Sequence, residues 1–290
     1  MERRAREHGL RARRSLAMGW ASLICALLCA GPGVAEAQRL REASRRVRRD
    51  DGDRERSRDR DRAGGDGDGW LYLAYPWWGP IAATGGGYGP DWWLADHPYA
   101  DGHHGYAIYL TEEDRHLPEA PPVQDVSVQL SLEGGWVPLE IGRAAAEVRA
   151  LLPYRFEVDA GAVGFAERRR TEDGRVGWDW VVTATAHVGW TFAQDEHWQF
   201  RSLAGVRTWT DAEGTVVGFD LRYGVEVFPI SPLVLSVDLA TGFTGAAWLL
   251  RARGTLGLMA GPVEIYAGWD HLVVDWVPLG GAVAGVRGWI

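Results

Sequence analysis

The sequence predicts an all-β protein: an antiparallel up-and-down transmembrane β-barrel of about ten strands, with eight as the alternative. A signal peptide and a largely irregular N-terminal region precede it. Three observations carry this. Residues 126–290 alternate apolar and polar side chains with a period of two, segment after segment. On the clearest segment the apolar face is aromatic at both ends and small aliphatic in the middle. The opposite face carries Arg, Asp and Glu together on successive segments.

The N-terminal region is built differently. Residues 1–69 hold 17 Arg and 12 acidic residues, a net of +5; residues 70–290 hold 14 and 27, a net of −13, against a chain total of −8. Residues 1–14 are Arg-rich, and residues 15–30 are apolar, with Leu16, Leu23, Ile24, Leu27 and Leu28. Ala35-Glu36-Ala37 then places small residues at the −3 and −1 positions of a cleavage site. This order predicts a signal peptide over 1–37 that is cleaved on export. The alternative, a retained anchor, has a short apolar run for a span. Both cysteines, Cys25 and Cys29, fall in the leader, so the exported chain is expected without disulfides.

Residues 38–69 form a mixed-charge tract with almost no apolar side chains, expected as a disordered Arg/Asp-rich linker. Its Arg45, Arg46, Arg48 and Arg49 suit phosphate or anionic lipid, but solvated charge that neutralises itself is the plainer expectation. Residues 70–125 are an aromatic, Gly- and Pro-rich irregular segment and linker, with Trp77-Trp78 and Trp92-Trp93 between prolines. Such a segment fits a membrane interface or the flank of a larger domain. His97, His103 and His104 are its metal-ligand types, yet they follow no recognised ligand spacing, so no metal or other cofactor is expected.

Residues 126–290 are expected as the barrel domain, with strands over 126–133, 142–152, 154–166, 178–192, 198–209, 215–228, 233–243, 249–260, 263–274 and 279–290. The connections carry turn residues such as Pro153, Gly174, Gly214, Gly245, Gly261-Pro262 and Pro278. Segment 142–152 has helical propensity, but a closed up-and-down barrel needs an even strand count, which makes it a strand. Trp178, Trp180, Trp190 and Phe192 are expected as lipid-facing girdle residues. Fourteen steps at about 3.3 Å, tilted by roughly 45°, give a height near 33 Å, which spans an apolar band and its girdles. The polar face then turns inward. A charge network is expected in the lumen from Asp179, His187, Arg201, Arg207, Asp220, Arg222, Glu226, Asp238, Arg251 and Arg253, with Arg143, Glu147, Arg149, Arg155, Glu157, Asp159, Glu264 and Asp270 on the same face.

In these features the chain resembles bacterial outer-membrane β-barrel proteins as a broad class. The resemblance covers residues 126–290 and the leader, and includes a final strand that runs to the C-terminus (GGAVAGVRGWI), with Trp289 penultimate. It implies residence in the outer membrane bilayer and recognition of the last strand by the barrel-assembly machinery. It also implies periplasmic chain ends, so that connections near 134–141, 167–177, 210–214, 244–248 and 275–278 face outward. These are short for a receptor or adhesin, and a barrel this narrow is filled by side chains.

Composition removes much chemistry. Lys is absent, so there is no Schiff-base or phosphate-loop lysine, and no Cys follows residue 29. Nothing points to nucleic acid. Omptin proteases of the same class use Asp and His at the outer rim. Here Asp195-Glu196-His197 falls at the opposite end, Asp270 and His271 point to opposite faces, and Ser202 lies on the lipid face. No catalytic residue is assigned. Two functions stay open: a structural or envelope-associated barrel with a charge-filled lumen, whose segment 38–125 contacts a periplasmic partner, or a hydrolase or narrow transporter that uses the lumen charges.

Overall fold

A computed structural model describes residues 38–49, 92–102, 104–105, 107–109, 126–137, 141–170, 176–195 and 197–290. The expected leader, most of the Arg/Asp tract, the segment 70–91, His103 and the linker 110–125 lie outside the described residues.

The elements are helix α1 (Arg39–Arg48) and strands β1 (Trp92–Leu94), β2 (Ala107–Tyr109), β3 (Ser127–Val137), β4 (Ile141–Leu151), β5 (Phe156–Arg170), β6 (Val176–Gln194), β7 (Trp198–Asp211), β8 (Gly214–Ile230), β9 (Leu233–Thr244), β10 (Ala247–Ala260), β11 (Val263–Val274), β12 (Val277–Pro278) and β13 (Gly281–Trp289). The strands from β3 on form one closed antiparallel barrel of ten long strands, with β12 a two-residue bridge on β11. Each strand pairs with its chain neighbours, and β13 closes on β3 from Ala282↔Trp136 to Trp289↔Gln129. Segment 142–152 is indeed a strand. β4 pairs along its whole length with β3 and β5, and this pairing overrides the helical preference of its alanines.

The wall is sided as its alternation requires. Trp178, Trp180 and Trp190 face outward, 63%, 45% and 52% exposed. Leu132, Val188, Val217, Leu256 and Ile265 join them. Phe192 is less exposed than the three tryptophans. A bulge after Thr191 shifts the register, and the Phe192 ring lies against Phe200 and Tyr223 and is only 4% exposed.

The lumen has three layers. The charged layer fills the middle. The mouth where β3 begins and β13 ends, here the terminal mouth, is apolar, with Leu151, Phe228, Val234, Met259 and Trp289 buried together. Ala95 and Ala100, from the segment between β1 and β2, pack into that cluster. The Tyr99 hydroxyl donates to the carbonyl of Leu233, and burial pushes its pKa up to about 12. The irregular segment thus contains one short hairpin, Trp92↔Tyr109 to Leu94↔Ala107, and closes a mouth.

The opposite, distal mouth is closed by α1. All of α1 lies in the tract 38–69 that was expected to be disordered, and over these residues the helix replaces that expectation. Leu40, Ala43 and Val47 stand at i, i+3 and i+7, one helical stripe, and bury against Ile141, Phe165, Val181, Trp209 and Leu249. A ten-residue helix is marginal alone, so its stability comes from this seat. Polar contacts orient it. Arg41 pairs with Asp179 at 3.0 Å, Arg46 with Asp275 at 3.1 Å and Arg48 with Asp211 at 2.5 Å. Trp209 Nε1 donates to Ser44 Oγ at 3.1 Å. At the helix end, Ala246 N–H donates to the Val47 carbonyl at 2.9 Å. Gly245 beside it has φ +56°, and a Cβ there would lie 2.2 Å from that carbonyl oxygen, so only glycine fits.

Candidate functional site

Alternation places every second residue of each strand inside the barrel, and in the middle layer ionisable side chains are set among small ones such as Ser131, Ala145, Gly161 and Thr185. Arg149 of β4 reaches Glu157 at 2.7 Å and, across the lumen, Glu226 of β8 at 3.0 Å. Arg201 joins Glu226 at 3.2 Å and Asp238 at 2.6 Å. Arg222 holds Glu147 at 2.6 Å, Asp159 at 3.2 Å and Asp238 at 3.2 Å. Arg253 of β10 reaches Glu133 of β3 at 2.5 Å, and Glu133 also accepts from Arg143. Arg143 and Arg251 share Asp270 at 2.6 and 2.5 Å. Nearer the terminal mouth Arg287 pairs with Glu264 at 2.8 Å, and the guanidinium carbons of Arg253 and Arg287 lie 5.4 and 4.9 Å from the centre of the Tyr266 ring.

His187 is the one imidazole in this layer among the described residues. Its Nδ1 lies 2.7 Å from Asp159 and its Nε2 2.9 Å from Asp220, which also accepts from Arg207 at 2.6 Å. Both ring nitrogens are therefore engaged by carboxylates, and neither faces a hydroxyl nucleophile. A general base needs a free lone pair aimed at substrate. A void beside it has a volume of about 30 Å³, room for no more than a few waters. The arrangement cross-braces opposite walls.

Nine of the ten residues expected in the lumen network are in it. Asp179 is not: it sits at the distal mouth and belongs to the seat of α1. Arg155 lies in the turn before β5 rather than on the inner wall. Glu133 and Arg287 are partners that sequence reasoning passed over, although alternation along their strands points both inward.

The other candidates have separate places. Asp195 accepts the backbone N–H groups of His197 and Trp198 at 2.8 and 2.9 Å, an Asx turn at the terminal mouth, with no dyad formed. Asp270 points inward, whereas His271 pairs with Ala252 on the outer register. His104 donates from Nδ1 to the Phe228 carbonyl at 3.3 Å and its ring lies 4.4 Å from that of His197. His97 donates to the Pro98 carbonyl at 2.8 Å. Among the described residues no group of three or more His, Cys, Asp and Glu side chains is arranged to hold a metal ion.

No family model matches the chain, and no curated protein matches it. Three solved structures are similar to parts of it. The β domain of the Bordetella autotransporter BrkA is 11% identical, with 57% of this chain and 99% of that one covered and a TM-score of 0.31. An outer membrane channel from Pseudomonas putida F1 is 8% identical, with 59% and 96% covered and a TM-score of 0.34. CdiB from Acinetobacter baumannii is 11% identical, with 52% of this chain covered and a TM-score of 0.29; the match spans only 39% of CdiB.

Proposed function

We propose that this chain is an outer-membrane β-barrel whose role is structural and envelope-associated, without catalysis or transport through the lumen. The observation that carries the reading is the sidedness of the wall. Side chains such as Leu132, Val188, Phe219 and Ile265 are exposed outward, while Glu157, Asp220 and Arg201 are buried inward and paired. A protein in water would lose stability by this inversion; one in lipid gains by it.

The closed interior supports the non-enzymatic half of the reading. Ion pairs cross the lumen, α1 fills the distal mouth, and residues around Ala95 and Ala100 fill the terminal mouth. On this reading the leader 1–37 directs export, and the assembly machinery engages β13. A periplasmic partner meets the part of segment 38–125 at the terminal mouth, from residue 92 on.

Fractionation with heat-dependent gel migration tests the membrane assignment. The chain is expected in the outer-membrane fraction, shifting in mobility on boiling. A protein that remains soluble without detergent would overturn it. Planar-bilayer recording tests the closed lumen: no steady conductance is expected, and a stable ohmic pore would sink the structural role in favour of transport.

A further inference from the structure

The strands carry many arginines, and with one exception those with described side chains point inward or stand at a mouth and meet carboxylates. The exception is Arg168. It lies on β5 opposite Trp178 of β6, and both are exposed on the outer wall. Its neighbour Glu167 points the other way and is buried. β4 begins at Ile141, opposite Glu167, so Arg168 stands just past the edge of that strand, at the distal rim. No carboxylate pairs with it among the described residues. The rest of the described outer wall is uncharged, apart from the His271 ring.

An outward Arg is costly at the middle of a bilayer and nearly neutral at the interface. The adjacent indole of Trp178 marks the interface level. The same half of the outer wall carries hydroxyls, with Thr210 and Thr215 in contact at 3.0 Å and Thr241 accepting from Trp248 Nε1 at 3.2 Å. The terminal half presents Phe156, Trp190, Trp198, Val263 and Ile290, without charge. A guanidinium fork matches the oxygens of a phosphate, and at this depth the phosphates belong to lipid headgroups.

We propose that Arg168, beside Trp178 on the distal rim, binds the phosphate of an anionic lipid in the leaflet facing that rim. This rests on the membrane reading above.

The test is native mass spectrometry of the full chain, purified in detergent and titrated with phosphatidic acid, with phosphatidylcholine as the zwitterionic reference. Wild type is expected to retain phosphatidic acid about tenfold better than phosphatidylcholine, the scale of one charge-assisted pair. Arg168→Gln should abolish that preference and Arg168→Lys should keep part of it. Arg45→Gln, an exposed arginine of α1 at the same mouth, should leave it unchanged. Equal retention by Arg168→Gln would overturn the proposal, as would an equal loss in Arg45→Gln, which would indicate a diffuse field. Displacement of the lipid by inorganic phosphate would reassign the site to the free anion. Each variant is first checked for heat-dependent migration. A chain that inserts normally but shows no Arg168 effect loses this proposal alone, whereas one that never enters a membrane loses the membrane reading itself.

Discussion

The carboxylate of Glu167 accepts the backbone N–H of Leu40 at 3.1 Å and that of Arg39 at 3.2 Å, across 127 and 128 residues of chain. The cap of the plug helix is therefore supplied by the barrel wall. A helix start leaves its first N–H groups without partners and favours negative charge. Gln38, at the capping position, makes no side-chain bond of its own.

Replacing Glu167 with Gln or Ala should loosen α1 and leave the barrel closed. Loss of a cap costs about 0.5–2 kcal/mol. Hydrogen exchange at the amides of Arg39 to Ala43 should speed up and trypsin should cut α1 sooner, with heat-dependent migration unchanged. Unaltered exchange in α1 would refute the capping role.

Asp238 receives Arg201 at 2.6 Å, Arg222 at 3.2 Å and Arg253 at 3.9 Å. Asp238→Ala leaves buried guanidinium groups short of a partner, and breaking a buried pair this way costs about 3–5 kcal/mol. The double variant with Arg201→Met should be less damaged than the sum of the two single changes. Urea titrations followed by gel mobility measure both, and strict additivity would mean that the pair is not coupled.

The outward wall gives a graded test. Ala186 lies near the middle of β6 and Trp178 near its distal end, both facing out. Arg at position 186 should cost about 2–4 kcal/mol in a bilayer, and Arg at 178 about 0–1 kcal/mol. A soluble protein would tolerate both, so equal tolerance of the two would speak against the membrane.

Closure of the terminal mouth should depend on pH through Tyr99. Its pKa rises from 10.0 to about 12 because burial disfavours the phenolate. A raised pKa means that the contribution is complete below about pH 10 and is lost as pH climbs through 12. The amide of Tyr99, bonded to the His104 carbonyl at 3.2 Å, should exchange faster across that window. In Tyr99→Phe that pH step should vanish.

Single cysteines introduced at Arg45 and Tyr154, in a chain with Cys25 and Cys29 replaced by Ser, should differ in access. Both sites are well exposed, at 73% for the Arg45 side chain and 91% for Tyr154. They lie at opposite mouths, so an impermeant maleimide applied to sealed vesicles should label one from outside and the other only after lysis. Labelling of both from one side would contradict the placement of α1.

Much of this fold was legible because alternation is a local signal: each strand reports its own inward face, and β4 declared itself by count alone. The lumen network follows from the same parity, which is why Glu133 and Arg287 were within reach. The seat of α1 was harder to see. Val181 is the one apolar residue on the inner face of the 178–192 run, and its purpose emerges only with Trp209 and Leu249 gathered around it. Leu40, Ala43 and Val47 lie among arginines, so composition hid a stripe that becomes stable only in that seat. The low exposure of Phe192 was not legible, because a bulge after Thr191 brings its ring against Phe200 and Tyr223, contacts that parity does not report.

The position of α1 has one more implication, for the path of the chain. An even number of strands returns a barrel's own two ends to one side, and Ser127 and Ile290 are together there, with Val128 and Ile290 exchanging backbone bonds at 3.0 and 2.8 Å. The helix that precedes them plugs the other side. Once seated in a bilayer, such a polypeptide would expose its N-terminal helix to one compartment and its last residue to the other, so the two would meet different solutions, different proteases and different partners.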